Sequence, residues 1–372
     1  MIRSHRTKRT YAIVIVGTGA AGIGLGLILE KSGFRDYVIL ERNEVGASFA
    51  AWPSYTRFIS PSFAGNFFNA VDLNAVSPDT SPAYTLQTEH PGGEEYAGYL
   101  RLLADHYGLR VHVGTDVNRI VRGRAMFEIH TDERTYRSPF VVWAGGEFGN
   151  PHDYPFAGAE HCIHSSATET FPNDDVTIVG GFESGIELAI HCLGEGRSVT
   201  VIDAGEPWLA NGSDSSLALA PSTRDRLRPF LDSPRLRLRG HTPVSGVESV
   251  NGHYQVRLES GETLVSPAPP VLATGYHPLS PVVANLFEQD GDGVVLTEND
   301  ESTITPGLFL TGPRVQHSGA IFCFIYKFRQ RLPVVADAIG SRIGISLTGI
   351  EEYKAANMVL DDLSCCLDEC TC

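Results

Sequence analysis

Two glycine-rich loops and a terminal run of cysteines are the residues of this chain best suited to chemistry. The first loop is Gly17-Thr18-Gly19-Ala20-Ala21-Gly22, a G-x-G-x-x-G. Gly17 permits a tight turn, Gly19 lets backbone approach a pyrophosphate, and Gly22 lets a helix pack close to a strand. The helix N-terminus then presents unpaired N–H groups and a positive dipole end to the phosphates. Glu41, 19 residues after Gly22, stands where a carboxylate accepts hydrogen bonds from a ribose diol. The second loop is Gly180-Gly181-Phe182-Glu183-Ser184-Gly185, where Phe182 displaces the middle glycine. Its ribose acid is Asp203, 18 residues past Gly185. A carboxylate there favours the unphosphorylated ribose of NADH and repels a 2′-phosphate. No arginine between Val199 and Asn211 offsets that repulsion. The spacing predicts two dinucleotide sites, with NADH favoured over NADPH at the second.

Three of the seven cysteines, Cys162, Cys192 and Cys323, are scattered; Cys365, Cys366, Cys370 and Cys372 crowd into the last eight residues. In a reducing compartment such thiols serve redox or metal chemistry rather than stapling. The tail admits three readings. Its thiols are a shuttle alternating between dithiol and disulfide, a clamp for a soft metal ion such as Hg, Cu(I), Zn or As(III), or inert. Fifteen extended residues span about 50 Å, so reach is no obstacle. Asp361, Asp362, Asp368 and Glu369 oppose thiol ionisation by like-charge repulsion. A docked tail would need a cation, and Lys327, Arg329 and Arg331 offer one unless they are simply a solvated helix face.

The elements around the loops have the right pattern. Ala12 to Val16 is an apolar β-branched run, a helical stretch follows to Lys31, and Tyr37 to Leu40 forms a second strand. This is a βαβ unit and implies a parallel sheet. The pattern returns with Val176 to Val179, Ser184 to Leu193 and Ser198 to Ile202. Tyr96 to Tyr107 reads as a helix, and Arg110 to Val113, Met126 to Thr131, Phe140 to Ala144, Val271 to Ala273 and Leu308 to Thr311 as strands. Arg235 to Arg239 and Tyr254 to Glu259 read as hairpin-like strands, and Ala320 to Ile339 as one helix despite Pro333. Residues 43 to 95 lack periodicity, which marks a functional segment in a compact domain.

At 372 residues the chain has room for two cores. A net charge of -15 disfavours nucleic acid or anionic membrane as the main partner, since both need a basic footprint. The basic Met1 to Arg9 and apolar Tyr11 to Leu29 imitate a signal peptide, but five glycines interrupt the apolar part and no small-residue cleavage site follows. The expectation is a cytoplasmic protein with no membrane span.

Two further segments, Val141-Val142-Trp143-Ala144-Gly145-Gly146 and Val271-Leu272-Ala273-Thr274-Gly275, resemble the paired crossovers of two-dinucleotide-binding-domain flavoproteins. Gly307 to Gly312 resembles the last FAD-contacting strand of that group, and Gly46 to Pro53 a flavin-side segment of its bacillithiol-disulfide-reductase-like and monooxygenase-like members. The resemblance covers residues 10 to 340. It implies an α/β fold of two Rossmann-like domains, the second inserted in the first. The FAD domain would be 10–150 and 271–345, the NAD(P)H domain 151–270, and 346–372 an extension with the cysteine tail. It implies FAD or nucleotide contacts at the two loops and at Glu41, Arg42, Ser48, Trp52, Val117, Gly145, Gly275 and Gly312, and a homodimer or larger. Trp52 then either stacks near the flavin or fills the core. Cys323 is a packed thiol or an electron relay near the isoalloxazine, and His317 a proton donor or a structural residue.

Departures from the family's patterns direct the rest. The C-x-x-C of thioredoxin reductases is missing near Ile163 to Ser166, where Cys162 stands alone, and no cysteine pair follows Glu41. The monooxygenase fingerprint F-x-G-x-x-x-H is met only in part by Phe156, Gly158 and His161 or His164, and Pro313 stands where an FAD-binding Asp is usual. The leading expectation is an FAD-dependent NADH oxidoreductase acting on a disulfide, a thiol compound or a thiol-bound soft metal, with catalytic thiols Cys365, Cys366, Cys370, Cys372 and Cys323. The four tail cysteines are also the candidate metal ligands. The alternatives are a flavin monooxygenase of a small substrate and a metal-sequestering or sensing protein on the same scaffold.

Overall fold

Four apolar, fully buried strands flank the first glycine loop in a parallel five-stranded sheet. The order is Leu308–Leu310, Phe140–Trp143, Ile13–Val16, Tyr37–Leu40, then the short Val111–His112. Burial on both faces explains why these segments are continuous Val/Ile/Leu/Phe runs rather than alternating ones. A computed structural model describes residues 8–65, 70–152, 155–167, 170–171, 175–212, 214–291 and 293–364. The chain forms two compact units: Met1–Ala50, Ser60–Gly149 and Pro278–Cys372 make the first, Ala51–Ile59 and Asn150–His277 the second.

The first unit adds a four-stranded sheet of Lys8–Thr10, Thr135–Ser138, Phe127–Thr131 and Val117–Arg122. Helix Ala20–Lys31 leaves the glycine loop and is buried almost throughout. The described residues from Ser60 to Gly92 are largely irregular apart from the short helix Pro82–Leu86, helix Gly93–His106 follows, and buried side chains satisfy backbone groups of the irregular segment. Asn74 donates to Ser60 O and Ser62 Oγ, both at 2.9 Å, and Asp72 accepts from Ser81 Oγ and Ala83 N, both at 2.9 Å.

The second unit repeats the plan. Its parallel sheet runs Leu236–Arg239, Ser198–Ile202, Asp175–Val179, Val271–Leu272, Ile163–His164, with helix Glu183–Gly194 packed on it. The core is Val176, Ile178, Ile186, Leu188, Cys192, Val199 and Val201 with their neighbours. A separate antiparallel sheet holds Val244–Val250, His253–Leu258 and Thr263–Ser266.

Two expectations are corrected. Leu236–Arg239 is no hairpin partner of the 254–259 strand; it is a parallel edge strand beside Ser198–Ile202. The chain between Ile202 and Leu236 carries helix Pro221–Leu227 and is long enough for the crossover that parallel pairing demands. Nor is 320–339 one helix. It begins in the hairpin Gln316–His317/Ala320–Ile321, passes through the short helix Ile325–Phe328 and a 3-10 turn at Arg329–Arg331, and becomes helical again over Leu332–Ile343. Pro333 sits in the first turn of that last helix, where its missing N–H costs nothing.

Candidate functional site

The two glycine loops are built alike. Gly17 and Gly180 both have φ of 105°, left-handed backbone that favours glycine. A Cβ on Gly17 would lie 2.4 Å from Ala144 O, and one on Gly180 would lie 2.4 Å from Ala273 O. A Cβ on Gly22 or on Gly185 would fall 1.9 Å from the carbonyl oxygen of Gly17 or Gly180 respectively. Backbone leaving the neighbouring strand therefore dictates Gly17 and Gly180, and the loop's own first carbonyl dictates Gly22 and Gly185.

Each acid is anchored to its own loop. Glu41 Oε2 accepts from Thr18 N at 3.0 Å and Thr18 Oγ1 at 2.6 Å, and Oε1 accepts from Asn43 N at 2.9 Å. Asp203 Oδ2 accepts from Gly181 N at 2.6 Å and Oδ1 from Gly205 N at 2.7 Å. A carboxylate has about four lone-pair sites, so Glu41 keeps about one and Asp203 about two for ribose hydroxyls. Gly19 has open space beside it: a Cβ there would meet only Phe49 Cε2, at 4.0 Å, as close backbone approach to a pyrophosphate requires. These donors and this space fit a dinucleotide.

Other residues gather at the first loop. Gly46 N donates to Thr18 O, which brings the short helix Ala47–Ala50 and Ser48 beside the loop. Gly312 has φ of 102°, and its Cβ position is 3.6 Å from Ala21 Cβ. Gly145 follows Ala144, whose carbonyl abuts Gly17. Val117 is buried, and Thr115 N just before it donates to Glu41 O at 2.7 Å. Arg42 is exposed and its guanidinium lies against Gly149. Beyond Pro313, Arg314 pairs with Glu147 at 2.5 Å.

Trp52 and Gly275 belong to the second unit. The Trp52 ring packs 5.1 Å from that of Phe58, and Gly275 O contacts His164 Nε2 at 3.0 Å. Ser184 lies in the first turn of helix Glu183–Gly194. The Glu183 carboxylate turns away to Ala220 N and Thr223 Oγ1, both at the start of helix Pro221–Leu227, and burial pushes it above the usual range. Glu183 thus caps a neighbouring helix with its side chain and leaves only its backbone to the loop. Gly158 of the partial F-x-G pattern serves packing, since its Cβ would fall 1.8 Å from Val247 O.

A family model for pyridine nucleotide-disulphide oxidoreductases matches residues 14–312. The chain belongs to this family. The fold agrees: the structure of bacillithiol disulfide reductase Bdr from Staphylococcus aureus superposes with a TM-score of 0.72 at 20% identity, covering 90% of this chain and 99% of that one. A flavin-containing monooxygenase from Stenotrophomonas maltophilia gives 0.71 at 18% identity over the same 90% of this chain and 99% of its own. Among curated sequences, the uncharacterized oxidoreductase CzcO of Bacillus velezensis is 25% identical over 48% of this chain. This chain spans about half the length of such CzcO-type relatives, 51% and 52% of two of them. Membership of this family implies FAD and a nicotinamide nucleotide without separating NADH from NADPH.

The cysteines divide. Burial, then Glu160, pushes the Cys162 thiol up to about 12, and burial does the same to Cys192. Neither offers a thiolate near neutrality. Cys323 is half-buried, just ahead of helix Ile325–Phe328. Cys365, Cys366, Cys370 and Cys372 lie outside the described residues. Among the described residues no group of three or more His, Cys, Asp or Glu is placed to hold a metal ion, and no helix is long and apolar enough to cross a membrane.

The basic helix face expected at 327–331 is not a solvated one. Arg329 is buried and donates to Asp72 O and, at 2.7 Å, to Ala75 O. Arg331 is buried against Asp300 and donates to Leu360 O, at the root of the tail. Lys327, the third proposed docking cation, lies over the Phe324 ring at 5.6 Å. His317 Nε2 lies 2.6 Å from Asp300 Oδ1 and so belongs to the same buried cluster. Thr18, Gly205 and Trp208, which the glycine motifs pass over, are all in contact with the loops or their acids.

Proposed function

We propose that this protein is an FAD-dependent oxidoreductase that takes a hydride from NADH and delivers the electrons to a disulfide or thiol-bound acceptor. The observation that carries it is the repetition of one cradle in a chain of this family: Gly17 and Gly180 on the same left-handed backbone, each with an acid bonded to its own loop. FAD, when bound, supplies the hydride-accepting chemistry, and the chain supplies orientation. Glu41 holds the ribose of FAD, Gly19 and the N-terminus of helix Ala20–Lys31 face the pyrophosphate, and Gly312 and Gly145 line the same loop. Asp203 holds the ribose of NADH and repels a 2′-phosphate.

The acceptor side rests on Cys365, Cys366, Cys370 and Cys372. The dithiols of the reductase patterns are absent from the sequence, and Cys162 and Cys192 are held as neutral thiols, which leaves Cys323 and the tail as candidate exchange groups. Bacillithiol disulfide reductase and bacilliredoxin reductase are among the proteins this chain resembles, which favours a thiol or disulfide substrate.

The test is truncation after Leu360, with NADH-to-disulfide and NADH-to-quinone rates compared under anaerobic conditions. Loss of the first with retention of the second supports the reading. Equal survival of both removes the tail from the electron path. Substrate-dependent O₂ consumption would favour monooxygenase chemistry instead, and stoichiometric metal binding without flavin bleaching would favour sequestration.

A further inference from the structure

The second cradle differs from the first at four of its six positions, and two of those differences bring an aromatic ring to the loop. At the position of Thr18 the second loop has Gly181; at that of Gly19 it has Phe182, the N-cap residue of helix Glu183–Gly194. Gly181 is small because of Trp208. A Cβ there would lie 2.4 Å from Trp208 Cζ3, 2.9 Å from Cε3 and 3.3 Å from Asp203 Cβ. In the first loop that space holds the Thr18 side chain, whose hydroxyl donates to Glu41. An indole thus replaces a hydroxyl beside the ribose acid.

Trp208 is held in place. It lies in the turn Pro207–Leu209, five residues past Asp203. That segment is held by Gly205 N to Asp203 Oδ1 at 2.7 Å and His241 N to Gly205 O at 2.9 Å, with Glu206 Oε2 3.3 Å from His241 Nε2. Both Trp208 and Phe182 pack against the core of the second unit. A fixed indole is a surface to bind against rather than a swinging lid. The chain leaving a ribose acid runs on toward the base of a bound nucleotide, and here it carries a half-buried aromatic with Glu206 nearby and no arginine before Asn211. That composition suits a flat neutral base and rejects a phosphate.

We propose that Trp208 is the stacking face for the adenine of the nucleotide whose ribose Asp203 holds, so that base recognition belongs to Trp208 while refusal of a 2′-phosphate stays with Asp203. The inference rests on the NADH reading above and adds the residue that recognises the base.

The experiment compares NADH with reduced nicotinamide mononucleotide, which lacks the adenosine half, on FAD-loaded wild type, W208A and W208F. Loss of one base–aromatic stack predicts a KM for NADH raised about 10-fold in W208A. The mononucleotide KM should not move, and W208F should recover most of the loss. ADP-ribose titrated into the wild type should quench tryptophan emission, and W208F should lose that quench. A W208A change that is equal for both reductants, absent, or in the direction of tighter NADH overturns the proposal. Wild-type flavin that NADH fails to bleach sinks the parent reading, whereas intact bleaching that ignores Trp208 sinks this one alone.

Discussion

Arg331 donates to both carboxylate oxygens of Asp300, from Nε to Oδ2 at 3.1 Å and from Nη2 to Oδ1 at 2.9 Å, and both side chains are buried. The same guanidinium bonds Leu360 O and Glu298 O, so one arginine ties the root of the cysteine tail to the first unit. His317 completes the cluster on Asp300. Removing the arginine strands a buried carboxylate, which costs about 3–5 kcal/mol. R331M should therefore lower the urea midpoint strongly and speed proteolytic clipping after Leu360. A midpoint within error of wild type would show that the cluster does not carry this load.

Asp79 gives the chain an acid-side pH dependence. Burial pushes its carboxyl up, but hydrogen bonds from Lys31, Ser77 and Tyr107 outweigh it and hold it at about 2, against an ordinary 3.8. A depressed carboxylate contributes stability that is full above about 3.8 and is lost as pH falls toward 2. Solvent at this half-exposed group limits the contribution to about 1 kcal/mol. D79N should flatten the stability profile between pH 4 and 2 and leave its shape above pH 5 unchanged. An unaltered acid slope in D79N would place the dependence elsewhere.

Cys162 and Cys192 should behave as inert thiols. With both near 12, the thiolate fraction at pH 8 is about one in ten thousand. Pulse alkylation of the native protein followed by mass spectrometry should leave them unlabelled, and C162S and C192S should retain NADH-driven flavin bleaching. Fast labelling of either in the folded state contradicts this.

Both cradles were legible because their constraint is local. Gly17 and Gly180 are required by a left-handed turn against the next strand, and a motif records such a requirement directly. Strand direction was not legible for Leu236–Arg239, whose L-R-L-R alternation suits a hairpin and a parallel edge alike; the crossover through Pro221–Leu227 decides it. Arg329 and Arg331 read as docking cations or a solvated face because charge in a sequence signals water, whereas here carbonyls of Asp72, Ala75 and Leu360 and the Asp300 carboxylate replace water. Trp208 carries no motif: only the space it takes from Gly181 reveals it.

Asp203 should govern the choice between nicotinamide nucleotides. Its two oxygens organise both Gly181 and Gly205, and its charge opposes a 2′-phosphate. D203A removes charged hydrogen bonds worth about 1.5–3 kcal/mol each, so the NADH kcat/KM should fall at least 10-fold. The NADPH value should fall less or rise, because the repulsion disappears with the carboxylate while nothing new binds the phosphate. The ratio of the two kcat/KM values is the decisive measurement, since general damage to the loop lowers both alike. A ratio that D203A leaves unchanged would mean that the carboxylate serves the loop's own backbone and never meets the ribose.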